Sequence, residues 1–291
     1  MTIVSGVDAL RQQRPEWTPW LAVVDEVVRE SMTAQWDAAV PEIRESPAPS
    51  APLLDGATIV VNAAAVRGLF KRSIDIASHA GTAPMATLSP ELHRDLDIAE
   101  LFATSVRQDS TYVTMLAERY GADAQALQAI VALLAVPWLQ ACGRQWGAAV
   151  PVSWMEGCCP ICAAWPAFIE VRGIERSRHP RCGRCGSEWF ARLLHCTYCG
   201  NHDHDEFVTL VPEKAGSGAV EACRRCHGYM KTFTTLQGCA PHAVMVRDLG
   251  SVELDVAALA QGYSRPSGAG FLLTLTVHSA PAARRFFAWN T

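Results

Sequence analysis

Residues 182–200 read CGRCGSEWFARLLHCTYCG, a stretch with two Cys-x-x-Cys pairs that are each followed directly by a glycine. Outward from this stretch, one further pair of the same spacing precedes it and another follows it. Two cysteines at this spacing can turn both sulfurs toward one ion, and a second pair then completes a tetrahedral thiolate site. The sequence therefore predicts metal-binding knuckles at four pairs: Cys159/Cys162, Cys182/Cys185, Cys196/Cys199 and Cys223/Cys226.

The spacing between the pairs predicts which of them share an ion. Nineteen residues separate the first pair from the second, ten the second from the third, and twenty-three the third from the fourth. The first gap fits the roughly 15 to 20 residues usual within a zinc site, and the last slightly exceeds it. A crossed pairing of the four motifs is the alternative. Four-sulfur sites suit either zinc or iron, so we expect two ions of one of these metals. We predict one site from Cys159, Cys162, Cys182 and Cys185, and a second from Cys196, Cys199, Cys223 and Cys226.

Disulfide bonds and catalysis explain these cysteines less well than metal binding does. The N-terminus shows no continuous apolar segment after a basic one, so we expect a cytoplasmic protein, and disulfides are rare in that compartment. The pairs lack the βαβ surroundings of thioredoxin-like redox sites. We also find no convincing Ser/His/Asp set, phosphate-binding loop or dinucleotide glycine motif. Because each predicted site already has four ligands, we expect structural metal and no enzyme activity.

Composition and charge limit the remaining classes of protein. The chain of 291 residues is 49% hydrophobic and 19% charged, which excludes an intrinsically disordered protein. Its formal net charge of −4 argues against nucleic acid as a partner, although arginines cluster between residues 172 and 184. The apolar run 126–142 contains Pro137 and is at the short limit for crossing a bilayer. It therefore predicts a buried core helix and no stable membrane insertion.

The organisation of the chain changes near Val150, where Ala- and Leu-rich sequence gives way to Cys, Gly and Arg. We predict an α+β protein with an N-terminal all-α helical domain over 1–150. Residues 151–265 then form two small rubredoxin-like or zinc-ribbon-like metal-binding modules. Within them, the runs 167–171 and 207–211 are typical of strands. The tail 266–291 holds an apolar run that is either a strand or a disordered end.

The sequence allows more than one role for several residues near the knuckles. The run His202–Glu206 either binds a further ion or forms a solvated loop. His195 and His227 adjoin knuckle cysteines, so they could hydrogen-bond to sulfur or replace a ligand. The remaining thiols have no partner at metal spacing and are expected to be ordinary buried cysteines. They are Cys142, Cys158 and Cys239.

Residues around the knuckles carry a family resemblance over roughly 155–265. The pattern comprises Cys159-Pro160-x-Cys162, Glu188-Trp189 after Cys185, Arg192 before Cys196, Gly228-Tyr229-x-Lys231 after Cys226, Asp248-Leu249, Leu254-Asp255 and Gly262-Tyr263-x-Arg265. It resembles FdhE, a family of formate dehydrogenase accessory proteins. One departure is Ala163, which stands where a glycine is expected after the first knuckle.

The resemblance implies a function and a set of partners. It implies a cytoplasmic maturation factor that binds the catalytic subunit of molybdenum or tungsten formate dehydrogenases, with a homodimer allowed. It implies rubredoxin-like modules that hold iron in the eight cysteines. Glu188, Trp189, Lys231 and Tyr263 are then candidates for supporting the knuckles or the partner surface, with a packing role as the alternative for the two aromatic residues. A rubredoxin-type electron-transfer protein, a nucleic-acid-binding zinc-ribbon protein and a thiol oxidoreductase are the alternatives.

Overall fold

The first half of the chain is helical, as predicted. A computed structural model describes residues 3–43, 49–79, 82–89, 92, 96–211 and 218–280. The helices of this half are α1 (Ile3–Gln13), α2 (Thr18–Glu30), α3 (Ala63–His79), α4 (Ala83–Ala86), α5 (Ile98–Arg107), α6 (Ser110–Tyr120), α7 (Ala124–Leu134) and α8 (Val136–Trp146).

Local sequence sets several helix ends. The Asp97 side chain accepts hydrogen bonds from the backbone of Ala99 and Glu100 and so caps α5. Helix α6 ends at Gly121, which takes the left-handed conformation with φ 65°. The Asp123 side chain then caps α7 by accepting from the Ala126 N–H. Short polar residues and a glycine therefore divide this region into separate helices.

The apolar run near residue 130 packs as a core helix. The helical segment Ala124–Ala149 is long and apolar enough to cross a membrane by length and composition. However, 72% of its apolar 18-residue stretch is buried inside the protein. Trp138, Leu139 and Ala141 have no exposed surface. The prediction of a buried core helix is confirmed.

The structure adds a short parallel strand pair to the helical half. Strand β1 (Ala57–Val61) pairs in parallel with β7 (Leu275–Ser279), in a register that matches Ala57 with Leu275. Side chains of β1 alternate between buried and exposed, so one face of the strand packs on the helices. The apolar run of the C-terminal tail is thus a strand, and residues 281–291 lie outside the described part of the chain.

The second half contains a five-stranded sheet and two helices among the described residues. The elements are β2 (Phe168–Arg172), β3 (Ser177–Arg181), β4 (Phe207–Leu210), β5 (Gly218–Cys223), β6 (Tyr229–Thr235), α9 (Val244–Leu249) and α10 (Val252–Ala260). The strand order in the sheet is β3-β2-β6-β5-β4. Strands β2 and β6 run parallel, and the other neighbours are antiparallel. The two predicted strands correspond to β2 and β4.

The first knuckle lies directly against the helical half. The backbone N–H groups of Leu53 and Leu54 donate to the carbonyls of Pro160 and Ile161, at 2.8 and 3.1 Å. The cysteines of the first predicted site belong to the same hydrophobic core as the helices. The predicted fold class is confirmed, whereas the domain boundary at residue 150 stays a prediction.

Candidate metal centres

Each Cys-x-x-Cys pair folds into the same tight turn. In every turn the backbone N–H of the first cysteine donates to the carbonyl oxygen five residues later, which closes the loop around the two sulfurs. Backbone N–H groups also point at sulfur, as at Cys185, whose N–H lies 3.4 Å from the Cys182 Sγ. The closing bonds run from Cys159 to Ala164 (2.8 Å), Cys182 to Ser187 (2.9 Å), Cys196 to Asn201 (2.7 Å) and Cys223 to Gly228 (2.8 Å).

The residue after the second cysteine is left-handed in all four turns. Gly186 and Gly200 take φ values of 75° and 70° without steric cost. Ala163 takes the same conformation with φ 62°, which explains why a glycine suits this position. At the fourth turn the glycine of the sequence is displaced by one position, and His227 is left-handed instead, with φ 54°.

The first sulfur cluster joins Cys159, Cys162, Cys182 and Cys185, the set that consecutive pairing predicts. Its four sulfurs lie within 4.8 Å of one another, and all four residues are buried. The Sγ–Sγ distances are 3.5 Å from Cys159 to Cys185 and from Cys162 to Cys182. A tetrahedral zinc–sulfur site with bonds of about 2.3 Å has sulfurs about 3.8 Å apart, so the cluster fits one ion.

The second cluster joins Cys196, Cys199, Cys223 and Cys226, again the predicted set. The Sγ–Sγ distance is 3.7 Å from Cys196 to Cys226 and 3.9 Å from Cys199 to Cys223. Cys196 and Cys223 are buried, but Cys199 and Cys226 are exposed. Both clusters could hold a metal ion, and they differ in how far solvent reaches the sulfurs.

The electrostatics of the first cluster call for a cation. Burial raises the pKa of Cys159 and Cys185 well above the ordinary thiol value. At Cys182 burial acts in the same direction, but hydrogen bonds from the neighbouring thiols outweigh it and hold the pKa well below that value. Four adjacent thiolates would repel one another, so full ionisation of the set requires a bound cation. Four soft sulfur donors suit zinc or iron.

A buried charged network supports the second cluster. Lys231 has no exposed surface, and its Nζ lies 2.6 Å from the Asp248 Oδ1 and 2.9 Å from the Asp255 Oδ2. Arg265 contacts the same two carboxylates at 3.0 and 2.8 Å. The Ser264 N–H donates to the carbonyl of His227 at 2.9 Å, which ties this network to the fourth turn.

A second buried network lies in the strands beside the first cluster. The Glu170 carboxylate has no exposed surface and contacts Arg172, Arg181 and Arg247 at 2.5, 2.9 and 3.2 Å. Glu188, a residue predicted to support the knuckles, contacts Arg172 at 2.6 Å and Arg181 at 3.3 Å. Residue patterns alone gave no sign of the role of Glu170, because the other residues of the run 167–171 are apolar.

Much of the predicted arginine cluster faces inward. The Arg178 guanidinium makes two hydrogen bonds to Glu221, at 2.5 and 2.9 Å. The Arg184 guanidinium donates to the carbonyls of Ser105 and Val106, at 2.6 and 3.1 Å, and so joins the second turn to α5. These arginines therefore act as internal connections.

The other predicted supporting residues have distinct positions. Trp189 is 5% exposed and packs in the core that holds the first cluster. Tyr263 packs at the edge of the sheet core, with its ring centroid 6.2 Å from that of His227. Both aromatic side chains therefore lie beside a knuckle.

The remaining candidates of the sequence lie outside the two clusters. Asp203, His204 and Asp205 come together, but all three are exposed. Among the described residues, neither His195 nor His227 belongs to a group that could hold an ion. Cys142 and Cys158 are buried, as predicted, and Cys239 is only partly buried.

The fold and the two clusters define a helical protein that carries two four-cysteine modules of the zinc-ribbon type. A family model described as the FdhE C-terminal domain matches residues 194–273. This part of the chain, which includes the second cluster, is therefore similar to the C-terminal domain of FdhE.

Individual FdhE homologues are similar to about a third of this chain. A protein named FdhE homolog from Shewanella baltica (strain OS185) is 28% identical over 110 residues, which cover 37% of this chain and 36% of the relative. A homolog from Shewanella oneidensis is 30% identical over 112 residues, with the same coverage. The match thus spans about a third of the length of these relatives.

A solved structure is similar over nearly the whole chain. The crystal structure of the FdhE protein from Pseudomonas aeruginosa matches with a TM-score of 0.55, covering 93% of this chain and 94% of that one. The two sequences are 20% identical, so the likeness establishes the fold.

Proposed function

We propose that the eight clustered cysteines ligate two metal ions and that the protein is a formate dehydrogenase accessory factor. In this proposal it binds the catalytic subunit in the cytoplasm and assists its assembly or activation. The observation that carries the metal assignment is the pair of four-sulfur clusters, whose Sγ–Sγ distances of 3.5–3.9 Å suit a tetrahedral ion. The similarity of part of the chain to FdhE supports the accessory role.

The ions have a structural role in this account. Each cluster supplies four ligands, so a tetrahedral ion has no open position for a substrate. A bound divalent ion neutralises thiolate charge and cross-links two turns that are distant in sequence. The chain's own residues support this arrangement through the networks around Glu170 and Lys231. We therefore propose a binding protein without turnover chemistry.

Capture of the partner tests the accessory role. Full-length protein with its metal is immobilised and mixed with the catalytic subunit of a formate dehydrogenase, and the captured subunit is quantified. We expect the double variant C196S/C199S to lose most capture, since its second module loses the ion. The single variant C239S serves as the control and retains capture, because Cys239 lies outside both clusters. Full capture by metal-free C196S/C199S would exclude the second module as the recognition element.

The exposed sulfurs of the second cluster favour one further candidate function. Cys199 and Cys226 reach the surface, so an iron ion bound there would lie close enough to a docked partner to exchange an electron with it. Iron-loaded protein should then show a reversible redox couple and activate the partner faster when reduced. If iron-loaded protein shows no such couple, the electron-transfer function is excluded and only the structural role of the ion is retained.

A further inference from the structure

In each cluster, one buried polar side chain that is not a cysteine approaches sulfur. The Ser187 Oγ lies 3.0 Å from the Cys185 Sγ and 3.1 Å from the Cys159 Sγ. In the second cluster, the Asn201 Nδ2 lies 3.8 Å from the Cys223 Sγ. Ser187 and Asn201 are only 8% and 4% exposed, so water competes little for either side chain. The bonding of both side chains therefore depends on the sulfurs beside them.

The two side chains occupy the same place in their turns. Each residue follows the first cysteine of a knuckle by five positions, where its backbone carbonyl closes the turn. From this place each side chain reaches a sulfur of the opposite knuckle in its cluster. The other two turns have Ala164 and Gly228 at this place, and neither of these residues offers a polar side chain. One turn in each cluster thus carries a side-chain donor.

Hydrogen-bonding chemistry sets the direction of both contacts. A metal-bound thiolate sulfur has no proton and can only accept, so the Ser187 hydroxyl donates to it. Because the Cys159 and Cys185 sulfurs lie 3.5 Å apart, this hydroxyl reaches both of them. At Asn201 the side-chain Oδ1 accepts from the Asp203 N–H at 3.3 Å, which turns the Nδ2 toward sulfur. Both side chains therefore act as donors to the clusters.

We propose that Ser187 and Asn201 are positioning residues that stabilise the two bound ions by donating hydrogen bonds to their thiolate ligands. This inference rests on the proposed metal sites and adds two residues to the cysteines. Four thiolates leave a divalent ion with excess negative charge, and a charge-assisted hydrogen bond offsets part of it. The donors thus help to retain the ion, and they raise the reduction potential of bound iron. The shorter contact makes Ser187 the stronger donor.

Absorption spectroscopy of full-length protein loaded with Co²⁺ alone tests this inference. A hydrogen bond lowers the energy of a sulfur lone pair, so its loss moves the sulfur-to-cobalt charge-transfer absorption to longer wavelength. In S187A we expect this shift for one of the two ions, with an affinity for Co²⁺ that falls about tenfold to a hundredfold. S187T keeps the hydroxyl and should match the wild type in both properties. N201D keeps the acceptor but loses the donor, so it should shift the absorption of the other ion.

The matched control is S31A. It also removes a buried hydroxyl, but one that donates to the Val27 carbonyl at 2.7 Å. S31A should leave the absorption and the affinity for Co²⁺ unchanged, and an equal shift in this variant would overturn the inference. Wild-type absorption and affinity in S187A, or an S187T that behaves like S187A, would overturn it while the two-ion assignment stands. A wild-type protein that binds no Co²⁺ would overturn both.

Discussion

Ala163 and His227 occupy equivalent positions in two different knuckles, and both hold a left-handed backbone, with φ values of 62° and 54°. Glycine fills the same position in the other two knuckles. A side chain in this conformation costs about 1–2 kcal/mol, because its Cβ crowds the following carbonyl. The first and fourth turns therefore carry a steric cost that the second and third turns, which have glycine at this position, avoid.

Replacing His227 by glycine should stabilise the protein by about 1 kcal/mol, since it removes the penalty at an exposed position. A163G should gain less, because the Ala163 methyl is fully buried and its burial contributes about 0.8 kcal/mol. Chemical denaturation of the metal-loaded protein measures both changes. In A132G, on an exposed position of α7, glycine should instead destabilise by about 1 kcal/mol. A destabilised H227G would contradict this account of the turn.

Removing the amino group of Lys231 should be strongly destabilising. K231M leaves Arg265 as the remaining cation beside the carboxylates of Asp248 and Asp255, and breaking a buried ion pair costs about 3–5 kcal/mol. The unfolding free energy of K231M measures this loss. The matched control is K71M, which breaks an exposed pair with Asp75 and should cost less than about 1 kcal/mol. The double variant K231M/D255N should recover part of the loss, whereas equal losses in K231M and K71M would refute the network's role.

Glu170 should make stability depend on pH in the acid range. Burial raises the pKa of Glu170, but hydrogen bonds from Arg172 and from the Cys239 N–H outweigh it and hold the pKa below the usual 4.5. The carboxylate therefore stabilises the folded protein at pH values above its usual pKa. This stabilisation is lost as the pH falls through the lowered pKa of the folded state. At pH 7, E170Q should cost about 3–5 kcal/mol, because three arginines lose their shared anion.

Denaturation of wild type and E170Q between pH 7 and pH 3 checks this sign. The two stabilities should converge toward the acid end, because a protonated Glu170 resembles glutamine. E188Q is the control: Glu188 contacts two of the same arginines but is 45% exposed, so its loss at pH 7 should be smaller. A constant difference between wild type and E170Q over the whole range would contradict the proposed ion pairing.

The two clusters should release their ions at different rates. Cys199 and Cys226 are exposed in the second cluster, whereas all four cysteines of the first are buried. A chelator can therefore attack the second ion directly, but reaches the first only after local opening of the core. Metal release into EDTA should show two phases, and C199S/C226S should lack the faster one. A single phase that survives in C199S/C226S would contradict the difference in access.

The sequence predicts both sulfur clusters because the Cys-x-x-Cys spacing is a local property of the chain. Backbone turns of four residues bring the paired sulfurs together without help from the rest of the fold. Strand and helix signals are local too, which is why β2, β4 and the end of α6 at Gly121 follow from residue patterns. The grouping of pairs matches the consecutive assignment, since each gap is long enough for one hairpin.

Residue patterns do not predict which parts of the chain meet when they are far apart in sequence. Strand β1 pairs with β7, more than two hundred residues away, and neither strand shows a signal that selects the other. Besides Arg172 of its own strand, Glu170 contacts Arg181 of β3 and Arg247 of α9, which are distant in sequence. The contact of the first knuckle with the loop before β1 is equally non-local, since it joins Leu53 to Pro160. Such contacts are set by tertiary packing.

Elemental analysis of anaerobically purified protein tests the central claim most directly. We predict close to two ions per chain in the wild type, and one ion per chain in each of the cluster variants C159S/C182S and C196S/C223S. The double variant C142S/C239S should keep both ions, because neither residue belongs to a cluster. A wild-type protein without metal, or cluster variants that keep two ions, would contradict the assignment of eight cysteines to two metal sites.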